Sequence, residues 1–286
     1  MEVHWPLAAR VARLGHGDLP DVTRPEVAAF VADLKQQARA AGELAARVMR
    51  LDQSQAATDI RVVDRDGWVR AASGITQAAL DVVEWPRRSA GLRRELVRRG
   101  LGTLLGVGFA VGSRWLLGQY DSFTGSKALY LVAPNMWNLE RARGFVPRDF
   151  RRWVAAHEQA HALQFAAAPW LTDHLAELVG SAEQRGTLDR VVATMTFLEG
   201  HADWVSDNTR RIRTAGRMRR SLAHKPRRGR GPLDKAAQYA NGREFCLVVR
   251  KLSTHNALMA AFDTPENLPT KAEIADPRAW VRRVHG

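Results

Sequence analysis

Cysteine is almost absent from this sequence, and no segment has the features of a secretory signal. The single cysteine among the 286 residues, Cys246, cannot form a disulfide within the chain. The first residues, MEVHWPLAAR, place Glu2 and His4 where a secretory signal would have basic residues and an apolar run. We therefore expect a cytoplasmic protein without disulfides.

Long hydrophobic runs are lacking as well. The most apolar stretch, residues 101–117 (LGTLLGVGFAVGSRWLL), is shorter than the roughly 20 residues that cross a bilayer, and it contains an arginine. The sequence thus predicts a buried helix and no membrane span. Glycines at four-residue spacing, Gly102 with Gly106 and Gly108 with Gly112, would let another backbone approach this helix closely.

The sequence also lacks internal repeats, sustained heptads and low-complexity tracts. Hydrophobic residues make up 45% of the chain and charged residues 26%. These values are typical of a soluble globular protein, with either one sizeable core or two modest domains that share an interface.

What the sequence has in excess is positive charge. The formal net charge is +13 and the pI is about 10.9, so nucleic acid or an anionic surface has to be considered as a partner. The excess is concentrated in residues 210–231 and 87–99. The first segment has no aromatic residue for stacking on bases. We favour a solvated helix face and loop over a nucleic-acid site, which is not excluded.

The hydrophobic pattern predicts a mainly α fold, α+β with a small sheet. In the first half, the expected helices cover Glu26–Met49, 75–83 and 92–117. Residues 61–69 (RVVDRDGWV) are expected to be extended, and residues 127–135 (KALYLVAPN) form the best strand candidate, which Pro134 should end.

The second half is predicted to be helical. A helix should begin at Pro147 and break at Pro169, since proline suits the first turn of a helix and not its interior. The other expected helices cover Thr187–Asp207, 233–258 and a short C-terminal segment. We expect a helical region over residues 1–125 packed on a catalytic region over residues 126–286, unless the two form one continuous domain.

Residues 157–161 read HEQAH, inside the helix predicted from Pro147. Residues four apart lie on one face of a helix, so His157 and His161 can offer two imidazole nitrogens to one ion. Glu158, turned about 100° away, can reach a water on that ion. The alternative is a buried or capped histidine pair, because two ligands do not complete a catalytic zinc site.

A third ligand is available in LEGHAD, on the helix predicted over Thr187–Asp207. Glu199 and Asp203 are again four apart, so Glu199 could bind the metal while Asp203 accepts a hydrogen bond from the outer nitrogen of a ligating histidine. His201 points to another side of the helix. The alternative is that both carboxylates pair with the arginines near residue 210. We prefer the metal hypothesis because the helix is apolar enough to be buried.

These motifs resemble those of a known group of enzymes. HEQAH followed by E-G-x-A-D is similar to the gluzincin branch of the zincin metallopeptidases. The resemblance implies a zincin-like fold with additional N-terminal helices and one Zn²⁺ ion held by His157, His161 and Glu199. It also implies Glu158 as the general base and Asp203 as the partner of a ligating histidine.

A closer resemblance extends over nearly the whole chain. VVDRDGWVRA, LLGQYD, LVAPN, HEQAHALQF, EGHAD, ENLPT and EIADPRAWVRRV are similar to segments of an actinobacterial zincin-like family of proposed hydrolases associated with biosynthesis of the deazaflavin coenzyme. That family's activity and substrate are not established.

The sequence therefore predicts a zinc metallopeptidase or related amide hydrolase that acts on a peptide or protein substrate. Three residues are candidates for stabilising the transition state, Tyr239, His201 and His255. By analogy, we expect the strand over 127–135 to be an edge along which an extended peptide could pair. The alternatives are a catalytically silent zincin scaffold that binds a partner and a basic nucleic-acid-binding module formed by residues 210–231.

Overall fold

A computed structural model describes residues 2–83, 92–181, 184–222 and 235–286 of the chain. Over these residues the protein is mainly helical and has one three-stranded sheet, so the predicted fold class is confirmed.

The chain forms two compact units. The first comprises residues 1–36 and 58–144, and the second comprises residues 37–57 and 145–286. The sequence predicts a different kind of division, between a helical region over residues 1–125 and a catalytic region over residues 126–286. That division is one of function, and it stays a prediction.

In the part of the first unit that the structure describes there are five helices, and the second of them continues into the other unit. They are α1 (Trp5–Leu14), α2 (Arg24–Met49), α3 (Arg65–Asp81), α4 (Leu92–Trp115) and α5 (Ala133–Ala142). The predicted helices over Glu26–Met49, 75–83 and 92–117 are thus confirmed. Of the basic segment 87–99, residues 87–91 lie outside the described residues.

Its sheet consists of β1 (Ile60–Val63), β2 (Gly118–Tyr120) and β3 (Leu129–Val132). β3 is buried and central: it pairs in parallel with β1 and antiparallel with β2. The predicted strand is confirmed, but the expectation that it offers an edge to a peptide is wrong, because both of its sides are already hydrogen-bonded. Pro134 ends the strand by lying in the first turn of α5.

The predicted extended segment over residues 61–69 is only partly correct. The strand ends at Val63, and the carboxylate of Asp64 then accepts a hydrogen bond from the backbone N–H of Gly67 at 2.6 Å. An aspartate in this position satisfies a free N–H of the first helical turn. Asp64 therefore caps the start of α3, within the segment that was expected to be extended.

Two glycines of α4 allow the close approach that their spacing predicts. A Cβ atom on Gly102 or Gly106 would lie 2.7 Å from the carbonyl oxygen of His4 or Ala8, respectively, near the start of α1. Gly108, by contrast, faces open space.

The prediction that α4 is buried is wrong for one of its faces. Leu104, Val111 and Trp115 are 69%, 57% and 78% exposed. Composition alone shows that a helix is apolar, but not which of its sides another element covers. No helix in the described ranges is long and apolar enough to cross a membrane.

The second unit contains helices and loops, with no strand among its described residues. Besides the end of α2 it contains α6 (Pro147–Ala167), α7 (Leu171–Gly180), α8 (Thr187–Asn208), α9 (Ala215–Leu222), α10 (Lys235–Leu252), α11 (His255–Met259), α12 (Lys271–Ala275) and α13 (Pro277–His285). Its core includes the fully buried side chains of Leu163, Phe197, Phe245 and Trp280. The predicted helices from Pro147 and over Thr187–Asp207 are confirmed. The helix predicted over 233–258 is confirmed from Lys235 to Leu252, after which the helix ends and α11 begins at His255.

Helices α8 and α10 cross with their backbones in contact. A Cβ atom on Gly200 would lie 2.1 Å from the carbonyl carbon of Gly242, and one on Gly242 would lie 1.9 Å from the carbonyl oxygen of Thr196. Only glycine fits at both positions, because any side chain would force the helices apart. This crossing fixes α8 at the residue that follows Glu199.

Candidate metal centre

Helix α6 places His157 and His161 one turn apart on the same face. Their Nε2 atoms lie 3.2 Å from each other, and their ring centroids are 4.9 Å apart. The geometry expected from four-residue spacing is therefore present. Both rings are mostly buried, with 14% and 16% of the side-chain surface exposed.

Helix α8 brings Glu199 to these two nitrogens. Its Oε2 atom lies 3.2 Å from Nε2 of His157 and 3.6 Å from Nε2 of His161. Among the described residues, this is the group of histidine, cysteine and acidic side chains that could hold a metal ion. We call it the His157–His161–Glu199 trio.

The spacing of the trio fits zinc. Zinc bonds to nitrogen and oxygen of about 2.0–2.1 Å, arranged tetrahedrally, put neighbouring ligand atoms about 3.3 Å apart. The three observed separations of 3.2, 3.2 and 3.6 Å lie close to this value. Two imidazoles and a carboxylate are also a ligand set that catalytic zinc uses.

Glu158 follows His157 on α6 and is buried, with 8% of its surface exposed. Its negative charge contributes to raising the pKa of both His157 and His161. A glutamate next to a candidate metal ligand on the same helix is the residue type that proton transfer at such a site uses.

The outer nitrogen of His157 contacts a charged network. Its Nδ1 atom lies 3.1 Å from Oδ1 of Asp203, which is the partner proposed from the sequence. The other oxygen of Asp203 accepts a hydrogen bond from Nη1 of Arg219 at 2.6 Å. Because Asp203 is only 6% exposed, Arg219 compensates a buried negative charge.

This network continues through Asp207. One of its oxygens accepts hydrogen bonds from Nε of Arg219 at 2.6 Å and from Nε of Arg243 at 2.7 Å, while the other accepts from Nε1 of Trp153 at 3.1 Å. Neither Arg219 nor Asp207 was identified from the sequence. Arg219 belongs to the basic segment 210–231, whose charges we expected to be solvated.

The rest of that basic segment agrees with the solvated interpretation as far as it is described. Its arginines at positions 210, 211, 213, 217 and 220 are exposed. Residues 223–231 lie outside the described residues. Arg219, by contrast, is mostly buried and donates hydrogen bonds to Asp203 and Asp207.

The outer nitrogen of His161 contacts an uncharged network. Its Nδ1 atom lies 2.9 Å from Oε1 of Gln164. The amide nitrogen of Gln164 in turn lies 2.9 Å from the carbonyl oxygen of Leu198 and 3.1 Å from Nδ1 of His201. Sequence reasoning missed Gln164, although its position three residues after His161 puts it on the same helix face.

Burial and hydrogen bonding shift the pKa values of the trio in opposite directions, and the hydrogen bonds and neighbouring charges together have the larger effect. Burial disfavours the protonated rings, yet hydrogen bonds with Asp203 and Glu199 hold the pKa of His157 well above its usual value. Glu199 likewise raises the pKa of His161. Burial alone would raise the pKa of Glu199, but hydrogen bonds from both rings hold it well below its usual range. A divalent cation would replace the protons on these rings, because metal ligands must be deprotonated.

The three candidate stabilisers of a transition state lie in different surroundings. His201 is fully buried; burial, with the charges of His255 and His161, lowers its pKa to about 3. His255 is buried at the start of α11, where its Nε2 atom lies 3.0 Å from the carbonyl oxygen of Met49. The side chain of Tyr239 lies outside the described residues. Among their described contacts, neither His201 nor His255 reaches the Nε2 atoms of the trio. The role of transition-state stabiliser therefore stays a prediction for all three residues.

The family of the protein follows from a comparison with known sequences. The family model described as zincin-like metallopeptidase matches residues 3–182 and 176–281, which together include nearly the whole chain. The chain belongs to the zincin-like metallopeptidase family. The matched region contains the whole trio, so this zincin-like protein combines the family's sequence features with a ligand geometry that suits zinc.

A solved structure shares the fold of this zincin-like protein. It is the crystal structure of a hydrolase candidate with a novel fold from Chloroflexus aurantiacus, with a TM-score of 0.77 and 24% sequence identity over 98% of each chain. At this identity the likeness shows the fold alone. No curated protein matches the chain.

Proposed function

We propose that this protein is a zinc metallopeptidase or related amide hydrolase, in which His157, His161 and Glu199 hold one Zn²⁺ ion. The observation that carries the proposal is the convergence of three ligand atoms from two helices at the separations of a zinc tetrahedron. Membership of the zincin-like metallopeptidase family supports the same chemistry.

The chemistry divides between the metal and Glu158. A zinc ion supplies Lewis acidity, which lowers the pKa of a water molecule to about 7 and polarises a carbonyl oxygen. The Glu158 carboxylate accepts the proton of the attacking water and returns it to the leaving nitrogen. Asp203, through His157, and Gln164, through His161, hold the rings in place.

Two finer features belong to this proposal. The sequence resemblance to the actinobacterial family associated with deazaflavin coenzyme biosynthesis suggests that the hydrolase acts in that context. The second feature is a cytoplasmic site of action. The substrate is a peptide or amide whose identity is to be found by screening.

The test is cleavage of an unbiased peptide and amide library by the zinc-loaded protein, with Glu158→Gln as the matched variant. Glutamine keeps the size of the side chain but cannot accept the proton, so we expect turnover to fall by about 10²–10⁴-fold while zinc stays bound. A library that the wild-type protein leaves intact while zinc is bound would contradict the enzyme and favour the catalytically silent scaffold.

A further inference from the structure

We propose that Gln164 is a positioning residue that determines which nitrogen of His161 is available to a metal ion, and that Leu198 and His201 fix Gln164 in the orientation this requires. The inference rests on the proposed zinc site. It concerns how the protein prepares one ligand of that site before any metal binds.

The orientation of the Gln164 amide follows from its contact with the backbone. The carbonyl oxygen of Leu198 can only accept a hydrogen bond, and one end of the Gln164 amide lies 2.9 Å from it. That end must therefore be the nitrogen. The opposite orientation would bring two acceptor oxygens together inside the protein, where an unsatisfied polar group is destabilising.

His201 accounts for the second hydrogen of the same amide. Its Nδ1 atom lies 3.1 Å from the Gln164 nitrogen, so it accepts a hydrogen bond and carries no proton itself. In the neutral ring the proton is then on Nε2, which is buried and has no hydrogen-bond partner among the described residues. Nδ1 of His201 thus accepts the second N–H of Gln164, while the Nε2–H of His201 has no hydrogen-bond partner among the described residues.

The state of His161 follows from this arrangement. The amide nitrogen of Gln164 donates its hydrogens to Leu198 and His201. The amide therefore offers only its oxygen, Oε1, to Nδ1 of His161, which lies 2.9 Å away. Nδ1 must then donate, and in the neutral ring the lone pair is on Nε2. Nε2 is the atom that lies 3.2 Å from Nε2 of His157 and 3.6 Å from the carboxylate of Glu199. A metal ligand whose other nitrogen is held in this way is fixed in both tautomer and ring orientation.

The same helix offers a matched control. Gln159 is as fully buried as Gln164 and also takes part in three hydrogen bonds, but all three go to backbone atoms of Ala38 and Ala57. Replacing either glutamine with methionine removes the same groups from α6. Only Gln164→Met removes a hydrogen bond to the trio.

The experiment measures zinc affinity by competition with a chelator of known affinity, on variants shown to be folded by circular dichroism. We expect Gln164→Met to bind zinc about 10-fold more weakly than the wild type. Gln159→Met should stay within about twofold, because its contacts do not reach the trio. The visible absorption of bound Co²⁺ should change in Gln164→Met and match the wild type in Gln159→Met.

A second substitution tests the chemistry of the contact. Gln164→Glu retains an acceptor for Nδ1 of His161 and loses the two amide donors, so we expect near wild-type zinc affinity with reduced thermal stability. Equal affinities for Gln164→Met and Gln159→Met, or an affinity of Gln164→Glu as weak as that of Gln164→Met, would overturn the inference. A wild-type protein that binds no zinc would instead overturn the proposed function and the inference together.

Discussion

The two histidines of the trio differ in what their outer nitrogens contact: a charged network at His157 and an uncharged one at His161. Behind His157 lie charged groups, Asp203 and then Arg219. Behind His161 lies the neutral amide of Gln164. A carboxylate increases the basicity of the ring it contacts, whereas an amide mainly fixes its tautomer and orientation. The comparison indicates that one ligand is tuned by charge and the other by geometry.

The networks also differ in how they depend on the surrounding structure. The charged network joins α8 to α9 and α10 through Arg219 and Arg243. The neutral network is confined to α6 and α8, through Gln164, Leu198 and His201. Both networks include residues of α8, so a change that moves this helix should affect both histidines, whereas a change within one network should affect mainly one histidine.

The largest effect is expected from Gly200→Ala, which should disturb both networks together. The added Cβ would lie 2.1 Å from a backbone atom of α10, so α8 has to move. We expect a loss of about 3 kcal/mol in the free energy of unfolding, at the upper end for overpacking, and a large loss of zinc affinity. Denaturant titration and zinc competition would measure the two.

Gly108→Ala on α4 is the control for this change. Its Cβ would meet nothing within 4 Å, so alanine should be neutral or should stabilise the helix by about 0.5–1 kcal/mol. If Gly200→Ala were as stable as the wild type, the close crossing of α8 and α10 would be wrong.

The next largest effect is expected from Arg219→Met, which acts on the charged network. Removing one partner of a largely buried ion pair leaves Asp203 uncompensated, and such losses typically cost about 3–5 kcal/mol. Because the side chain of Arg219 is 23% exposed, water should reduce the loss to about 2 kcal/mol. Zinc affinity should fall, since the Asp203 carboxylate loses the cation that orients it.

Arg217→Met on the same helix is the matched control. Arg217 is exposed, so its replacement should change stability by no more than about 0.5 kcal/mol. Equal stabilities of the two variants in urea would show that Arg219 belongs to the solvated part of the basic segment.

The smallest effect is expected from His201→Phe, which acts on the neutral network. Phenylalanine removes the acceptor for one amide hydrogen of Gln164, but it also removes the buried N–H of His201 that has no partner. The net cost should therefore lie at the lower end for an unsatisfied group, about 1 kcal/mol. Zinc affinity should fall less than in Gln164→Met, because Leu198 still orients the amide. An affinity loss larger than that of Gln164→Met would show that His201 acts on the site by another route.

The sequence predicted the parts of the site that depend on local spacing. His157 with His161 and Glu199 with Asp203 are pairs on single helices, so helical geometry alone determines that each pair shares a face. The meeting of the two pairs depends on how α6 and α8 pack. It was inferred from ligand chemistry and a resemblance rather than from spacing.

What the sequence did not predict depends on packing between distant segments. Arg219 contacts Asp203 across 16 positions of the chain. In the sequence it is one arginine among several in a basic segment, and nothing local distinguishes it from its solvated neighbours. The central position of β3 depends on its pairing with β1 and β2. Which face of α4 is exposed depends on how the other elements pack against this helix. Gln164 is different: its position three residues after His161 was a local signal that could have been used.

The central claim is that the trio holds zinc, and metal content of the untagged protein tests it most directly, with Glu199→Ala measured alongside. The account predicts one equivalent of zinc in the wild-type protein, bound by nitrogen and oxygen ligands at about 2.0–2.1 Å in X-ray absorption. It also predicts that Glu199→Ala loses this zinc while staying folded. A wild-type protein without zinc, or full retention of zinc by Glu199→Ala, would contradict the account.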